Sequence, residues 1–185
     1  MGLPRVVIQT QDFDLSTEIA ALRRENRGVG AVCSFVGVVR DRNPPSRGGL
    51  PAEGGVDLPV KDEIDLPVED TGDAVLSIEL EHYPGMTEQS IEAMVDEAVR
   101  RFDIVGARVI HRVGRLRPLE QIVLVAVASA HRGQGFQACE FLIDYLKTQA
   151  PFWKKEHTPQ GARWVDARVS DDAALARWGI MAGNA

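Results

Sequence analysis

Apolar residues at Ile91, Met94, Val95, Ala98, Val99 and Phe102 recur in steps of three and four. That spacing predicts an amphipathic helix, with Thr87 as its cap and Pro84-Gly85 as the turn that precedes it. Residues 121–129 (QIVLVAVAS) form a nearly unbroken apolar run and predict a central strand. Residues 30–39 (GAVCSFVGVV) mix β-branched side chains with glycine, as a strand does where another backbone approaches closely. Residues 135–149 predict a helix with Phe136, Cys139, Leu142, Ile143 and Leu146 turned inward, ending before Pro151.

Shorter signals complete the order. Residues 5–10 predict a strand and 14–26 a helix capped by Asp14 or Ser16. Residues 74–83 and 105–113 predict strands, and 114–120 a turn. Residues 152–156 and 163–168 predict a final strand pair, and Asp171 starts a short helix through Arg177. Strands joined by both hairpins and helices indicate an α+β fold with a mixed, mostly antiparallel sheet.

Between the strands at 30–39 and 74–83 the pattern fails. Residues 44–73 hold five of the ten prolines, eight acids and only Arg47 and Lys61 as bases. Their net charge of −6 equals that of the whole chain. So few apolar groups cannot offset the ordering entropy, so a mobile acidic excursion is expected, enlarging a hairpin connection within one domain spanning 1–185. The remainder is neutral, which argues against a nucleic-acid partner. No apolar stretch is long enough for a membrane span, and the N-terminus lacks a secretory pattern. Two isolated cysteines, Cys33 and Cys139, exclude a disulfide framework and point to a reducing cytoplasm.

The chemistry left to the chain is cationic. No glycine-rich phosphate loop, nucleophile elbow or metal-binding histidine spacing is present, so neither a cofactor nor a metal is expected. The chain has four lysines against seventeen arginines, yet Lys147, Lys154 and Lys155 fall within nine residues. An ammonium can give up its proton when crowded or desolvated, whereas a guanidinium effectively cannot. Lys147 ends the helix, where the dipole favours a cation. Strand alternation points Lys154 and Lys155 oppositely, so only one can share a cavity with Lys147. His131-Arg132, Arg40 and Arg168 stand at strand ends and suggest a pocket for phosphate or carboxylate.

FVGVVRD (35–41), LEHYPGMTE (80–88), HRVG (111–114), SAHR (129–132), DYLKTQAPFWKKE (144–156) and RWVDAR (163–168) closely resemble the large, catalytic subunit of molybdopterin synthase. The resemblance implies an α/β hammerhead-type fold and a homodimer. Each copy would bind a small ubiquitin-like sulfur carrier, making a heterotetramer. The carrier's C-terminal Gly-Gly thiocarboxylate would deliver two sulfurs to cyclic pyranopterin monophosphate (precursor Z), forming the molybdopterin dithiolene. Positions matching the family's site are Val38, Val39 and Arg40, His131 with Arg132, Lys147, and Lys154 with Lys155 and Glu156; Phe35 and Arg168 are neighbours. Lys147 and Lys154 would be catalytic. Because the sulfur arrives on the partner, no reactive cysteine is needed. A non-catalytic module that binds a ubiquitin-like protein is the alternative. HRGQGF puts two glycines where the family has small residues such as serine and alanine, which predicts a looser start to the helix carrying Lys147.

Overall fold

A computed structural model describes residues 4–42, 74–165 and 177–179. They form two four-stranded sheets and three helices. The first sheet has strand order β1 (Val6–Gln9), β4 (Ile104–Arg112), β6 (Gln121–Ser129), β2 (Ala31–Val38). Its pairs are antiparallel except β1 with β4. The second has the order β5 (Gly114–Leu116), β3 (Ser77–His82), β7 (Phe152–Thr158), β8 (Gly161–Val165), antiparallel throughout.

β6 reads as a continuous apolar run because both of its faces are covered. Val125 and Val127 meet helix α2 (Met86–Arg101) and helix α3 (Arg132–Gln149) in a core with Ile91, Met94, Phe141 and Leu142. Leu124, Ala126 and Ala128 face the opposite way, towards Leu22 of helix α1 (Leu15–Glu25) and Phe13. On that side the nearly buried Arg108 guanidinium pairs with Glu18 at 2.8 Å, tying α1 to β4. A third cluster, Val39, Val75, Ile78, Leu80 and Leu116, joins the second sheet to the end of the first.

The element order follows the sequence pattern with local differences. Residues 114–116 are not turn but strand β5: Gly114, at φ 83, bends the chain out of the first sheet so that Leu116 can pair with Ile78. β2 and β3 are not a hairpin but belong to different sheets, although Arg42 bridges Ala74 and Val75 N–H donates to Asp41 O at 2.8 Å. The acidic excursion at 44–73 lies outside the described residues, as does the helix expected from Asp171. Gly85, not Thr87, caps α2, and Glu88 reaches back to accept from Gly85 N–H at 2.7 Å. Thr87 is buried and instead ties the turn to β7, accepting from Tyr83 N–H and donating to Pro151 O at 3.2 Å.

α3 begins at Arg132, earlier than its apolar spacing suggested, because Gly135 fits a tight approach. A Cβ on Gly135 would lie 2.9 Å from Ser129 Oγ, and one on Gly30 would lie 2.3 Å from Ala130 O. Ser129, fully buried, donates its hydroxyl to His131 O at 2.9 Å and closes the turn. Phe136 is exposed rather than inward, since the face towards the sheet is taken by Gly135, Ala138, Cys139 and Leu142.

The chain leaves α3 at Pro151 and enters β7 through Phe152, whose ring stacks on His111 of β4 with centroids 3.8 Å apart. Burial pushes the His111 imidazole down to about 4, with smaller influences from the Arg112 carbonyl and His82. The neutral ring donates from Nδ1 to Arg112 O at 2.8 Å.

Two outcomes follow from these contacts. Both helical glycines should gain helix propensity on becoming alanine, but only one has room. Gly133→Ala, with open space around its Cβ, should stabilise by about 0.5 kcal/mol. Gly135→Ala should destabilise by about 1–3 kcal/mol, read from thermal melts of the two variants. In the second case the unfolded chain takes up a proton on His111 near pH 6.5 while the folded chain resists until about pH 4. Stability is therefore complete above pH 6.5 and falls between 6.5 and 4 by about 3 kcal/mol. Denaturant titrations of His111→Gln over that interval should show a flatter slope than the parent chain.

Candidate active site

The alternation of β7 sorts its side chains between two faces. Lys154 pairs across with Leu80 and Glu156 with Ile78, so both lie on the inner, apolar face of the second sheet. Glu156 is nearly buried, with 4% of its side chain exposed, and that decides its role. A carboxylate so placed must be paired to stay charged. It receives the Lys154 ammonium at 2.7 Å on Oε1 and Arg163 of β8 at 3.5 Å on Oε2. The Lys154 head remains partly in solvent.

Lys155 points to the other face, where its Nζ sits 5.3 Å from the centre of the Trp164 ring. The expected opposition of the two lysines is therefore observed, and Lys155 stands outside the inner grouping.

Lys147 is exposed in the last turn of α3, and no carboxylate among the described residues lies within ion-pair distance. α3 runs back along β6: Gly135 lies at Ser129, and Cys139 Sγ lies 3.9 Å from Val125 O. Two further turns, about 12 Å, carry the helix on towards the Gln121 end of β6 before Lys147. Gln121 pairs with Val38. Val39 follows, with N–H donating to Glu120 O at 2.9 Å and its carbonyl accepting from Leu119 N–H at 2.8 Å. The Val39 side chain is buried in the cluster that contains Leu80, the partner of Lys154. Val38, Val39, Arg40, Lys154 and Glu156 thus stand around one junction between the sheets, and α3 carries Lys147 towards the same end of β6. Phe35 is partly exposed on β2 and leans towards this end, its Cε1 3.4 Å from where a Gly37 Cβ would be.

His131 and Arg132 do not join them within one chain. They are exposed at the opposite end of α3, and Arg132 is about 22 Å along the helix axis from Lys147. The helix presents its first N–H groups there without a side-chain cap. Arg168 lies outside the described residues.

Arg163 is the contributor that sequence reading left out. Its place against Glu156 depends on the register of the β7–β8 hairpin, which Thr158↔Gly161 sets. The cysteines lie in the main core, away from this junction. Cys139 is buried in the main core beside Cys33, and burial foremost, then Cys33, pushes its thiol up to about 12. A thiol held protonated is a poor nucleophile. No helix among the described residues is long and apolar enough to cross a membrane.

The model of the MoaE protein family matches residues 60–149. The molybdopterin synthase catalytic subunit of Ralstonia nicotianae is 54% identical over 183 residues, covering 99% of this chain and 89% of that one. The Escherichia coli subunit of the same name is 41% identical, covering 96% and 100%. Among solved structures, the molybdopterin biosynthesis MoaE protein of Burkholderia ambifaria superposes with a TM-score of 0.71 at 49% identity, covering 96% of this chain and 99% of that one. The molybdopterin synthase structure from Staphylococcus aureus, at 23% identity and a TM-score of 0.66, shares the fold over 89% and 98%. Near-complete coverage at such identities, on a shared two-sheet fold, settles the family: the chain belongs to the MoaE family, that of the molybdopterin synthase catalytic subunits.

Proposed function

We propose that the chain is the catalytic subunit of a molybdopterin synthase. It moves sulfur from the C-terminal thiocarboxylate of a small ubiquitin-like carrier onto precursor Z, building the dithiolene of molybdopterin in the cytoplasm. The observation that supports this most is the junction itself: an amine, Lys154, aimed by the buried Glu156 carboxylate at the end of the Val38–Arg40 segment, with the exposed Lys147 on the helix end that runs towards it. Each transfer exchanges sulfur for oxygen: a C–O bond of the pterin side chain breaks as its C–S bond forms, and water takes the sulfur's place on the carrier's acyl carbon as that C–S bond breaks, which leaves the carrier with a free carboxylate. Negative charge develops on the acyl oxygen, and a nearby ammonium stabilises it. Lys147 has the freedom to do so, or to pass a proton, because no described carboxylate holds it. Lys154 is directed by Glu156 and acts in support. Arg40, His131 and Arg132 suit the pterin phosphate or the carrier's terminal carboxylate, and Val38, Val39 and Phe35 suit the path of the extended tail. Lys155, on the outer face, and Arg168 complete the substrate-binding set in this reading.

The length of α3 makes a further demand. His131 and Arg132 serve the same substrate as Lys147 only if they come from a second copy of the chain, in keeping with a homodimer that carries one sulfur carrier on each subunit. A mixed dimer of Lys147→Ala and Arg132→Ala chains then has one site without either defect. Mixing the two inactive variants should restore a measurable fraction of parental turnover, while each alone stays at least about 100-fold down. No recovery in subunit-exchange conditions would place both residues in one site of one chain.

Lys147→Arg retains charge but not ready proton loss. It should lower single-turnover sulfur transfer about 100-fold with the thiocarboxylated carrier and precursor Z. Near-parental rates would reject proton transfer by this amine. Carrier binding without any dithiolene formation by the parent chain would instead identify a non-catalytic binding module.

A further inference from the structure

Among the described residues, Leu119 is the one non-glycine residue with positive φ, at 71°. It occupies the third position of the turn Arg117-Pro118-Leu119-Glu120, closed by Glu120 N–H donating to Arg117 O at 3.1 Å. Proline at the second position of such a turn is favourable, but the third position suits glycine or asparagine, and a branched bulky side chain is strained there. The turn does not relax because it is held from three sides. Arg117 N–H donates to Glu120 Oε2 at 2.6 Å, Leu119 N–H donates to Val39 O at 2.8 Å, and Val39 N–H donates to Glu120 O at 2.9 Å.

The leucine joins none of the apolar clusters among the described residues. Its relative exposure is 80%, the highest of the large apolar residues described. Glycine would hold the same turn at lower local cost, so the side chain itself is what the position retains. Its surroundings indicate what it meets. The turn is bonded directly to Val39, and Val38, next along the chain, is also exposed at 48%. The basic Arg40 and Arg117 flank these two apolar groups.

We infer that Leu119 is a docking and specificity contact for the body of the sulfur carrier, seated on an apolar patch of that protein next to its C-terminal tail. This rests on the function proposed above. A tail that runs along Val38–Arg40 towards Lys147 and Lys154 brings its folded domain to rest over the rim of the junction, where Leu119 projects. The contact is made by the carrier alone, so it governs carrier affinity and leaves the pterin site and the reacting atoms untouched.

The test compares Leu119→Gly, Leu119→Asn and Leu119→Met in the full-length chain. Binding of the small carrier subunit with an intact Gly-Gly end is measured by calorimetry, and turnover with its thiocarboxylated form. The expected result for Leu119→Gly and Leu119→Asn is a melting temperature equal to or above that of the parent. Kd and KM for the carrier should rise about tenfold, with kcat at saturating carrier within about twofold and KM for precursor Z unchanged. Leu119→Met, which restores an apolar side chain, should recover most of the affinity. Unchanged carrier affinity in Leu119→Gly overturns this inference and leaves the proposed function standing. Loss of the dimer in sedimentation would show that Leu119 meets a second copy instead, and a lowered melting temperature would show that it supports the fold. A parent chain that binds no carrier overturns the proposed function as well.

Discussion

Val39 is the pin between the two sheets. Its amide and carbonyl are both taken by the turn at 119–120, which extends the register of β2 against β6 by one step. Its side chain is buried with Ile78, Leu80 and Leu116 of the second sheet. One residue therefore fixes the end of the first sheet, the inner face of the second, and the exit direction of Arg40. Backbone bonds at both groups leave little rotational freedom, and the buried side chain removes the rest. The placement of Lys154 relative to Arg40 follows from this joint, because Lys154 stands opposite Leu80 in the same cluster.

Glu156 is the electrostatic counterpart of that joint. Burying a carboxylate on an apolar face costs more than a single partly solvated partner returns, and here both Lys154 and Arg163 reach it. The arrangement orients more than it stabilises. The ammonium of Lys154 has a defined direction instead of the rotamer freedom of a surface lysine, as suits a supporting group held in one geometry. The neutral His111 ring beneath Phe152 extends the same logic to the root of β7. A stacked, uncharged ring fixes where the strand begins without adding a competing cation.

The parts of this fold that were legible in the sequence are those where a single period governs the pattern. The spacing of Ile91, Met94, Val95 and Ala98 found α2, and the apolar run of β6 marked a strand covered on both sides. Alternation alone was enough to separate Lys154 from Lys155. What the sequence hid depends on non-local geometry. β5 is three residues long, too short for any period, and exists because Gly114 turns the chain towards β3. Phe136 looks inward by spacing, but the face of α3 packed on the sheet is that of Gly135, Ala138, Cys139 and Leu142, which leaves Phe136 towards solvent. Arg163 reaches Glu156 only through a hairpin register that side-chain type does not specify. The family motifs marked the candidate residues, yet motif order carries no distance, so it could not tell that His131 and Lys147 stand at opposite ends of one helix.

That separation has a structural origin and a consequence for assembly. α3 must be long because it covers β6 and β2 from one end to the other, sealing the core that holds Phe141 and Leu142. Its two ends are then the natural places for polar groups, the first rich in free N–H donors and the last in carbonyls that favour a cation. The chain puts Lys147 at the last end, where the dipole favours a cation, and His131-Arg132 at the first end, beside free N–H donors that with them favour an anion. A single copy cannot fold these ends together without unmaking the core. A two-fold pair of copies can bring the first end of one helix to the last end of the other, and symmetry then makes two equivalent sites from one contact. In the function proposed, the need for a partner copy thus arises from the same packing that seals the core.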